Sequence, residues 1–184
     1  MVRLFTAYYP NEVTGLVFID PSDFMLTEKE DEQIKAVSQS PVGFRDFNIL
    51  MKKPAEDTAF SIGIRNDFKR VMEANAAGYF KEYDSLPPLH DIPVSVLIAY
   101  NSPIDDYSMA QLRELKINPV PWSKERNKYR VTHFAEMIEN NHNSSMVLLP
   151  GYVHFIHQQD PMLVITAIRN VYSNAMDAAK KAAQ

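Results

Sequence analysis

Three short apolar runs, each rich in Val, Leu or Ile, most constrain what this sequence can fold into. They lie at Gly15–Ile19, Val94–Tyr100 and Met146–Leu149, and none alternates cleanly with polar residues. Such runs are typical of strands that are buried on both faces in a parallel sheet covered by helices. The patterns around them are helical, so strand and helix alternate along the chain. The sequence therefore predicts an α/β fold with a short parallel sheet and right-handed crossovers.

The segment between the first two strands interrupts this alternation, because it contains no strand-like run. It has helical patterns near Glu28–Ser38, Val42–Lys52, Asp57–Gly78 and Tyr79–Tyr83. We interpret it as a helical insertion that lies over one end of the sheet. The prolines of Leu86–Pro93 favour an extended return of the chain to the second strand. The predicted division is a core of residues 1–22 and 87–184, with a helical insertion at 23–86.

Two long helices are predicted in the C-terminal half. One covers Trp122–Glu139, and the other covers Asp160–Ala179 and has Pro161 in its first turn, where proline is favoured. Apolar residues recur at helical spacing along both segments. They supply the helical layers that a parallel sheet needs.

Composition and charge exclude several classes of protein. The chain has 184 residues, of which 46% are hydrophobic, a proportion typical of globular rather than disordered proteins. The formal net charge is -4. The densest basic run, Lys124–Arg130, is expected to be the solvated face of a helix. We therefore expect no nucleic-acid partner.

The sequence also lacks the features of a membrane or secreted protein. No stretch is apolar for long enough to span a bilayer, and no signal-peptide pattern is present at the N-terminus. The chain has no cysteine, which excludes disulfides, thiolate metal sites and a cysteine nucleophile. We expect a cytoplasmic protein that does not associate with membranes.

The stretch "LLPGYVHFIHQQDP", Leu148–Pro161, carries the strongest chemical signal. A strand ends, Gly151 permits a tight turn, and His154 follows in a loop before a new helix. Ligands of parallel α/β sheets bind beyond the carboxyl ends of the strands, which is where this loop lies. Imidazole takes and returns protons near neutral pH, so His154 is a candidate general base. The alternative is an exposed histidine with no chemical role.

At these residues the chain resembles the α/β-hydrolase superfamily. The loop from Gly151 through His154 to Pro161 is similar to the family's histidine loop. "MVRLFTAYYPNEVTGLVFIDP", which opens as a helix with no capping residue, resembles the segment after the family's nucleophile elbow. The insertion resembles its cap domain, and "DIPVSVLIAY" resembles its next strand. Because the four parts occur in the family's order, the resemblance implies a partial α/β-hydrolase fold.

The resemblance implies that His154 is the catalytic base and that an acid orients it. Two positions can supply the acid, since the family places it after one of two strands. Asp20 ends the first strand, and Asp105 follows the second, slightly displaced from the usual spacing. The alternative for Asp20 is a turn residue before Pro21. Either carboxylate would hold the tautomer of the imidazole and stabilise its charged form.

The family's nucleophile is not found in this sequence. The glycines are at positions 15, 43, 63, 78 and 151, and no two frame a G-x-S-x-G motif. The resemblance implies hydrolysis of small-molecule carboxylic esters or related acyl substrates, by a serine upstream of these residues. Other branches of the family use an aspartate nucleophile instead. We expect no cofactor and no metal, since the pair His154 and His157 lacks a third ligand at sensible spacing.

A non-catalytic function is the alternative. Without the elbow, the chain would be an inactive truncated or split hydrolase. Three parallel strands leave both sheet edges unpaired, and such edges recruit other strands. Under this interpretation we expect a homo-oligomer or a complex with an N-terminal partner chain.

Overall fold

The computed structural model describes residues 2–21, 26–50, 58, 60–76, 81–83, 85–104 and 106–182. The chain forms two compact units. One contains Met1–Phe24, Leu86–Ile104 and Arg130–Gln184, and the other contains Met25–Ser85 and Asp105–Tyr129. The division drawn from the sequence leaves residues 105–129 with the sheet, whereas the contacts group them with the inserted segment.

The first unit contains a three-stranded parallel sheet in the order β1-β2-β3. The strands are β1 (Leu16–Ile19), β2 (Val94–Tyr100) and β3 (Ser145–Pro150). Leu16 lies opposite Val94, and Tyr100 lies opposite Pro150. Helices flank this sheet, so the predicted α/β fold class with a short parallel sheet is confirmed.

The helices of the described residues account for most of the chain outside the sheet. They are α1 (Val2–Tyr8), α2 (Glu28–Ser38), α3 (Phe44–Leu50), α4 (Ile62–Ala76), α5 (Asp106–Glu114), α6 (Pro119–Ile138), α7 (Ile156–Gln159) and α8 (Pro161–Ala182), with 3₁₀ turns at Pro10–Glu12 and Lys81–Tyr83. The described part of the segment between β1 and β2 contains no strand, in agreement with the sequence pattern.

Alternate side chains of the sheet pack on opposite faces, as the pleat of a strand requires. On one face Val164 of α8 packs with Leu97 and Ala99 of β2 in a buried cluster. On the other face, the ring of Phe18 lies 5.9 Å from the ring of Phe134 in α6. Helices on both faces bury the central strand, β2, at six of its seven positions.

The third strand does not match the expectation of burial on both faces. Val147 and Leu148 of β3 are 36% and 40% exposed. Edge position alone does not explain this, because β1 is the other edge strand of the described sheet and its Leu16 and Phe18 are buried. An apolar run predicts a strand, but only its neighbours decide whether both faces are covered.

The second unit is a helical assembly with well-defined helix ends. Thr27 and Glu30 form a reciprocal capping box at the start of α2. The buried Asp31 accepts hydrogen bonds from the backbone N–H groups of Phe44 and Arg45 at the start of α3. Burial raises the pKa of Asp31, and these hydrogen bonds oppose that shift. Trp122 is buried and its ring packs against Phe44.

Candidate functional site

All three strands end on a residue in the left-handed backbone conformation. Asp20 follows β1 with φ 45°, Asn101 follows β2 with φ 51°, and Gly151 follows β3 with φ 77°. Asp, Asn and Gly are the residue types that tolerate this conformation best. The backbone therefore turns sharply at the same point of each strand, and the loops at the carboxyl edge begin there.

Asp20 uses this turn to place its carboxylate at the end of the sheet. Its N–H continues the ladder by donating to the carbonyl of Leu97 at 2.7 Å. The next ladder bond, from the N–H of Ala99, goes to the side-chain oxygen Oδ1 of Asp20 at 2.8 Å. The carboxylate thus takes the place of a backbone carbonyl, which fixes it against β2 while the chain turns away.

His154 is the partner of this carboxylate. Its Nδ1 lies 2.8 Å from Oδ2 of Asp20. The Asp20 side chain is 8% exposed, whereas the His154 side chain is 63% exposed. A carboxylate can only accept, so the neutral imidazole carries its proton on Nδ1 and leaves Nε2 as an acceptor. Among the described residues, Nε2 has no hydrogen-bond partner.

Several hydrogen bonds within the histidine loop fix its path. The N–H of Val153 donates to Oε1 of Gln159 at 2.9 Å, and the hydroxyl of Tyr152 donates to Oδ2 of Asp160 at 3.1 Å. This hydrogen bond raises the pKa of Tyr152. Oδ1 of Asp160 accepts the N–H of Leu163 and so caps α8. The loop between β3 and α8 is therefore tied down on both sides of His154.

Arg130 is the residue of this site that the sequence interpretation missed. Its side chain is 4% exposed, and its Nη2 lies 3.2 Å from Oδ1 of Asp20 and 2.7 Å from the carbonyl oxygen of Ala99. The expectation that Lys124–Arg130 forms a solvated helix face is therefore wrong for Arg130, and also for the buried Asn127.

A periodic signal for this burial exists in the sequence. Asn127, Arg130 and Phe134 are spaced at i, i+3 and i+7, which places them on one face of α6. Burial lowers the pKa of the Arg130 guanidinium, and the charge of Asp20 opposes that shift. Arginine remains charged in proteins, so a buried ion pair results.

The second candidate acid cannot be placed in the same way. Asp105 lies outside the described residues. Its neighbour Asp106 begins α5 at an exposed position. Asp20 is the candidate acid that the structure places within hydrogen-bond distance of His154.

The remaining histidines show a second pair of the same type. Nδ1 of His142 lies 2.7 Å from Oδ2 of Asp91, and both side chains are exposed. His157 follows His154 in the loop, and the ring of Phe155 packs against both rings. No group of three or more His, Asp or Glu side chains suited to a metal ion occurs in the described ranges.

Comparisons with known proteins leave the family open. No protein-family model matches the chain, and a search of the curated proteins finds no relative. No helix in the described part of the chain is both long and apolar enough to cross a membrane.

Proposed function

We propose that this chain supplies the acid and the base of an α/β-hydrolase-type enzyme that acts on carboxylic esters or related acyl substrates. The observation that carries the proposal is the buried Asp20 carboxylate 2.8 Å from Nδ1 of the exposed His154. The pair lies at the carboxyl edge of a parallel sheet, where such folds bind ligands. The order of the segments that resemble the family gives further support.

The proposed reaction is acyl transfer to a serine and then to water. The serine Oγ attacks the acyl carbonyl while Nε2 of His154 takes its proton, and the imidazolium returns that proton to the departing alcohol. Water then cleaves the acyl-enzyme with the same base. Asp20 holds the proton on Nδ1 and stabilises the imidazolium.

The nucleophile is proposed to be a serine outside these 184 residues, because none of the five glycines frames a serine elbow. An aspartate nucleophile, as in dehalogenases and epoxide hydrolases, would use the same pair to activate water. The substrate is in either case a small molecule, and the lack of cysteine fits a reducing compartment.

A fluorophosphonate probe tests the proposal, because it reacts with activated serines. The natural gene product that contains this sequence is labelled, and the rate of adduct formation is followed by intact mass. We expect His154→Ala to reduce the rate by about 10⁶-fold, as loss of the triad histidine does. His142→Ala is the matched control, since His142 has an aspartate partner of similar geometry, and it is expected to leave the rate unchanged.

Two outcomes would refute the serine-hydrolase proposal. One is a natural gene product that forms no adduct at all. The other is an adduct that forms equally fast in His154→Ala, because the labelled serine would then not depend on this base. Labelling of a serine within the 184 residues would keep the hydrolase function but overturn the proposed location of the nucleophile.

The outer edges of the sheet favour a second candidate function, that of a self-associating or partner-binding module. Leu16 and Asp20 donate their N–H groups toward β2, so the backbone groups of Val17 and Ile19 point to the opposite edge. No strand pairs with that edge in the described sheet. Unpaired edges are templates for pairing with another chain.

Exposed apolar side chains in the same unit support this second candidate. Phe5 and Tyr8 of α1, and Ile168 and Tyr172 of α8, are each at least half exposed. Sedimentation equilibrium tests the module function, which predicts reversible association of the purified chain. A chain that stays monomeric and well ordered over a wide concentration range would refute self-association.

A further inference from the structure

A guanidinium group lies behind the carboxylate of the candidate site, on the side away from the histidine. Nη2 of Arg130 is within 3.2 Å of Oδ1 of Asp20 and donates a 2.7 Å hydrogen bond to the carbonyl of Ala99. Its side chain is almost fully buried. A cation is costly to bury, and the partners that compensate it among the described residues are the Asp20 carboxylate and the Ala99 carbonyl. The general-base chemistry described for His154 does not by itself require this cation.

The contacts of Asp20 are divided between its two oxygens. Oδ1 accepts the N–H of Ala99 and faces Arg130, while Oδ2 faces Nδ1 of His154. With Oδ1 held from two directions, rotation about the Cβ–Cγ bond would break both contacts. The carboxylate plane is thus fixed, and Oδ2 is the oxygen left for the imidazole.

Ala99 links the two charged groups through its own backbone. Its N–H donates to Asp20, and its carbonyl accepts from Arg130. The ion pair is therefore anchored at one residue of β2, the most deeply buried strand. A helix residue, a strand residue and the turn after β1 together form a rigid support for one carboxylate oxygen.

We propose that Arg130 is a positioning residue that locks the Asp20 carboxylate, so that Oδ2 holds the proton of His154 on Nδ1 and keeps Nε2 free to accept. This inference rests on the proposed function of the pair as acid and base. Arg130 does not touch the reacting atoms and acts through Asp20. A purely structural Arg130 would stabilise the unit without influencing which ring nitrogen carries the proton.

Nitrogen-15 NMR of the histidine rings separates these two roles, because the chemical shifts of Nδ1 and Nε2 report which of them is protonated. In the wild-type chain, neutral His154 is expected to be mainly the Nδ1–H tautomer. In Arg130→Met, we expect a mixture with a substantial Nε2–H population, and in Arg130→Lys, a return toward Nδ1–H. His142, paired with Asp91, serves as the internal control and should keep its tautomer in every variant.

An unchanged His154 tautomer in folded Arg130→Met would overturn the proposal. Should that variant fail to fold, Arg130→Gln, which is polar but neutral and too short to hold Oδ1 of Asp20, is expected to show the same mixture. A measurement on the wild-type chain needs no variant at all. We expect scalar coupling between Arg130 Nη and Asp20 Cγ across their hydrogen bond. We also expect slow rotation of the guanidinium. A freely rotating guanidinium without that coupling would also overturn the proposal.

The outcomes distinguish this inference from the proposed function. A tautomer that depends on Arg130, together with a natural gene product that no fluorophosphonate labels, would support the positioning role and refute the serine hydrolase. Labelling that depends on His154, together with a tautomer that does not depend on Arg130, would support the serine hydrolase and refute the positioning role.

Discussion

Two histidine–aspartate pairs in the same unit have similar geometry but differ in the burial of the aspartate and in its other partners. The Nδ1 to Oδ2 distance is 2.8 Å for His154 and Asp20, and 2.7 Å for His142 and Asp91. The Asp20 side chain is 8% exposed, whereas that of Asp91 is 55% exposed. Distance alone therefore does not distinguish a candidate catalytic pair from a surface pair.

The partners of the carboxylates explain the difference. Asp91 accepts hydrogen bonds from the backbone N–H and the ring Nδ1 of one residue, His142, so both of these contacts depend on a single exposed partner. Asp20 is held by β2, by α6 and by the histidine loop together. A buried charge interacts more strongly with its partners than an exposed one, because water screens it less. The comparison teaches that support from several elements marks the candidate site.

The largest expected effect on stability comes from removing the charge of Asp20. Asp20→Asn leaves Arg130 buried without a counter-charge, although the amide oxygen still accepts a hydrogen bond. We expect a loss of about 3 kcal/mol in the free energy of unfolding, near the lower limit for a broken buried pair. Asp91→Asn at the exposed pair should cause only a slight loss, far smaller than that of Asp20→Asn. Urea unfolding, followed by amide signals of the first unit, would measure the free energy of unfolding of both variants. Equal losses would contradict the view that the buried pair contributes more than the exposed pair.

The next effect concerns the coupling between Asp20 and Arg130. Replacing both, with Asp20→Asn and Arg130→Met, leaves no unpaired charge, so the double variant should be more stable than the sum of the single losses predicts. We expect a coupling free energy of about 2 kcal/mol from the double-mutant cycle. The same cycle at Asp91 and His142 is the control. Additive losses for Asp20 and Arg130 would contradict a direct interaction between them.

A third, smaller effect tests the turn that leads into the histidine loop. Gly151 has φ 77°, and an added Cβ would meet no atom within 4 Å, so Gly151→Ala isolates backbone strain. We expect a loss of about 1 kcal/mol in the free energy of unfolding, with perturbed ring signals of His154 and unchanged signals of His142. Gly63→Ala, where φ is not positive and only Ser61 is near, is the matched control. If both variants lose the same stability, the left-handed turn contributes nothing specific.

The sequence predicted the elements with strong local signals. The apolar run Val94–Tyr100 and the helical pattern Glu28–Ser38 have the same bounds in the structure. Each carries its own signal, namely an uninterrupted apolar run for the strand and a capping box at Thr27 and Glu30 for the helix. The parallel α/β class followed from the alternation of such segments.

Long-range contacts account for what the sequence did not predict. Asp20 and Asp105 were both open candidates, because a spacing along the chain does not say which carboxylate reaches the loop of His154. Arg130 stands among other charged residues in the sequence, and its buried partners, the Asp20 carboxylate and the Ala99 carbonyl, come from distant segments. The exposure of β3 likewise depends on what packs against its two faces, which its apolar run does not encode. Local patterns define elements, whereas the site is made by residues that meet from three separate segments.

The smallest expected effect is the pH dependence of the exposed pair. The hydrogen bonds from His142 lower the pKa of Asp91 from its ordinary value of 3.8. A carboxyl group with a lower pKa in the folded state stabilises the fold above its unfolded pKa, and this contribution is lost as the pH falls through the folded pKa. Wild type and Asp91→Asn should therefore differ slightly at neutral pH and converge below about pH 4.

Unfolding curves at several pH values, at low salt and at high salt, would measure this difference. Because the pair is exposed, added salt should shrink the difference between wild type and Asp91→Asn. The difference between wild type and Asp20→Asn should persist in salt, since that pair is buried. A salt-insensitive Asp91 or a salt-sensitive Asp20 would contradict the view that burial, rather than the shared Nδ1 to Oδ2 geometry, separates the two pairs.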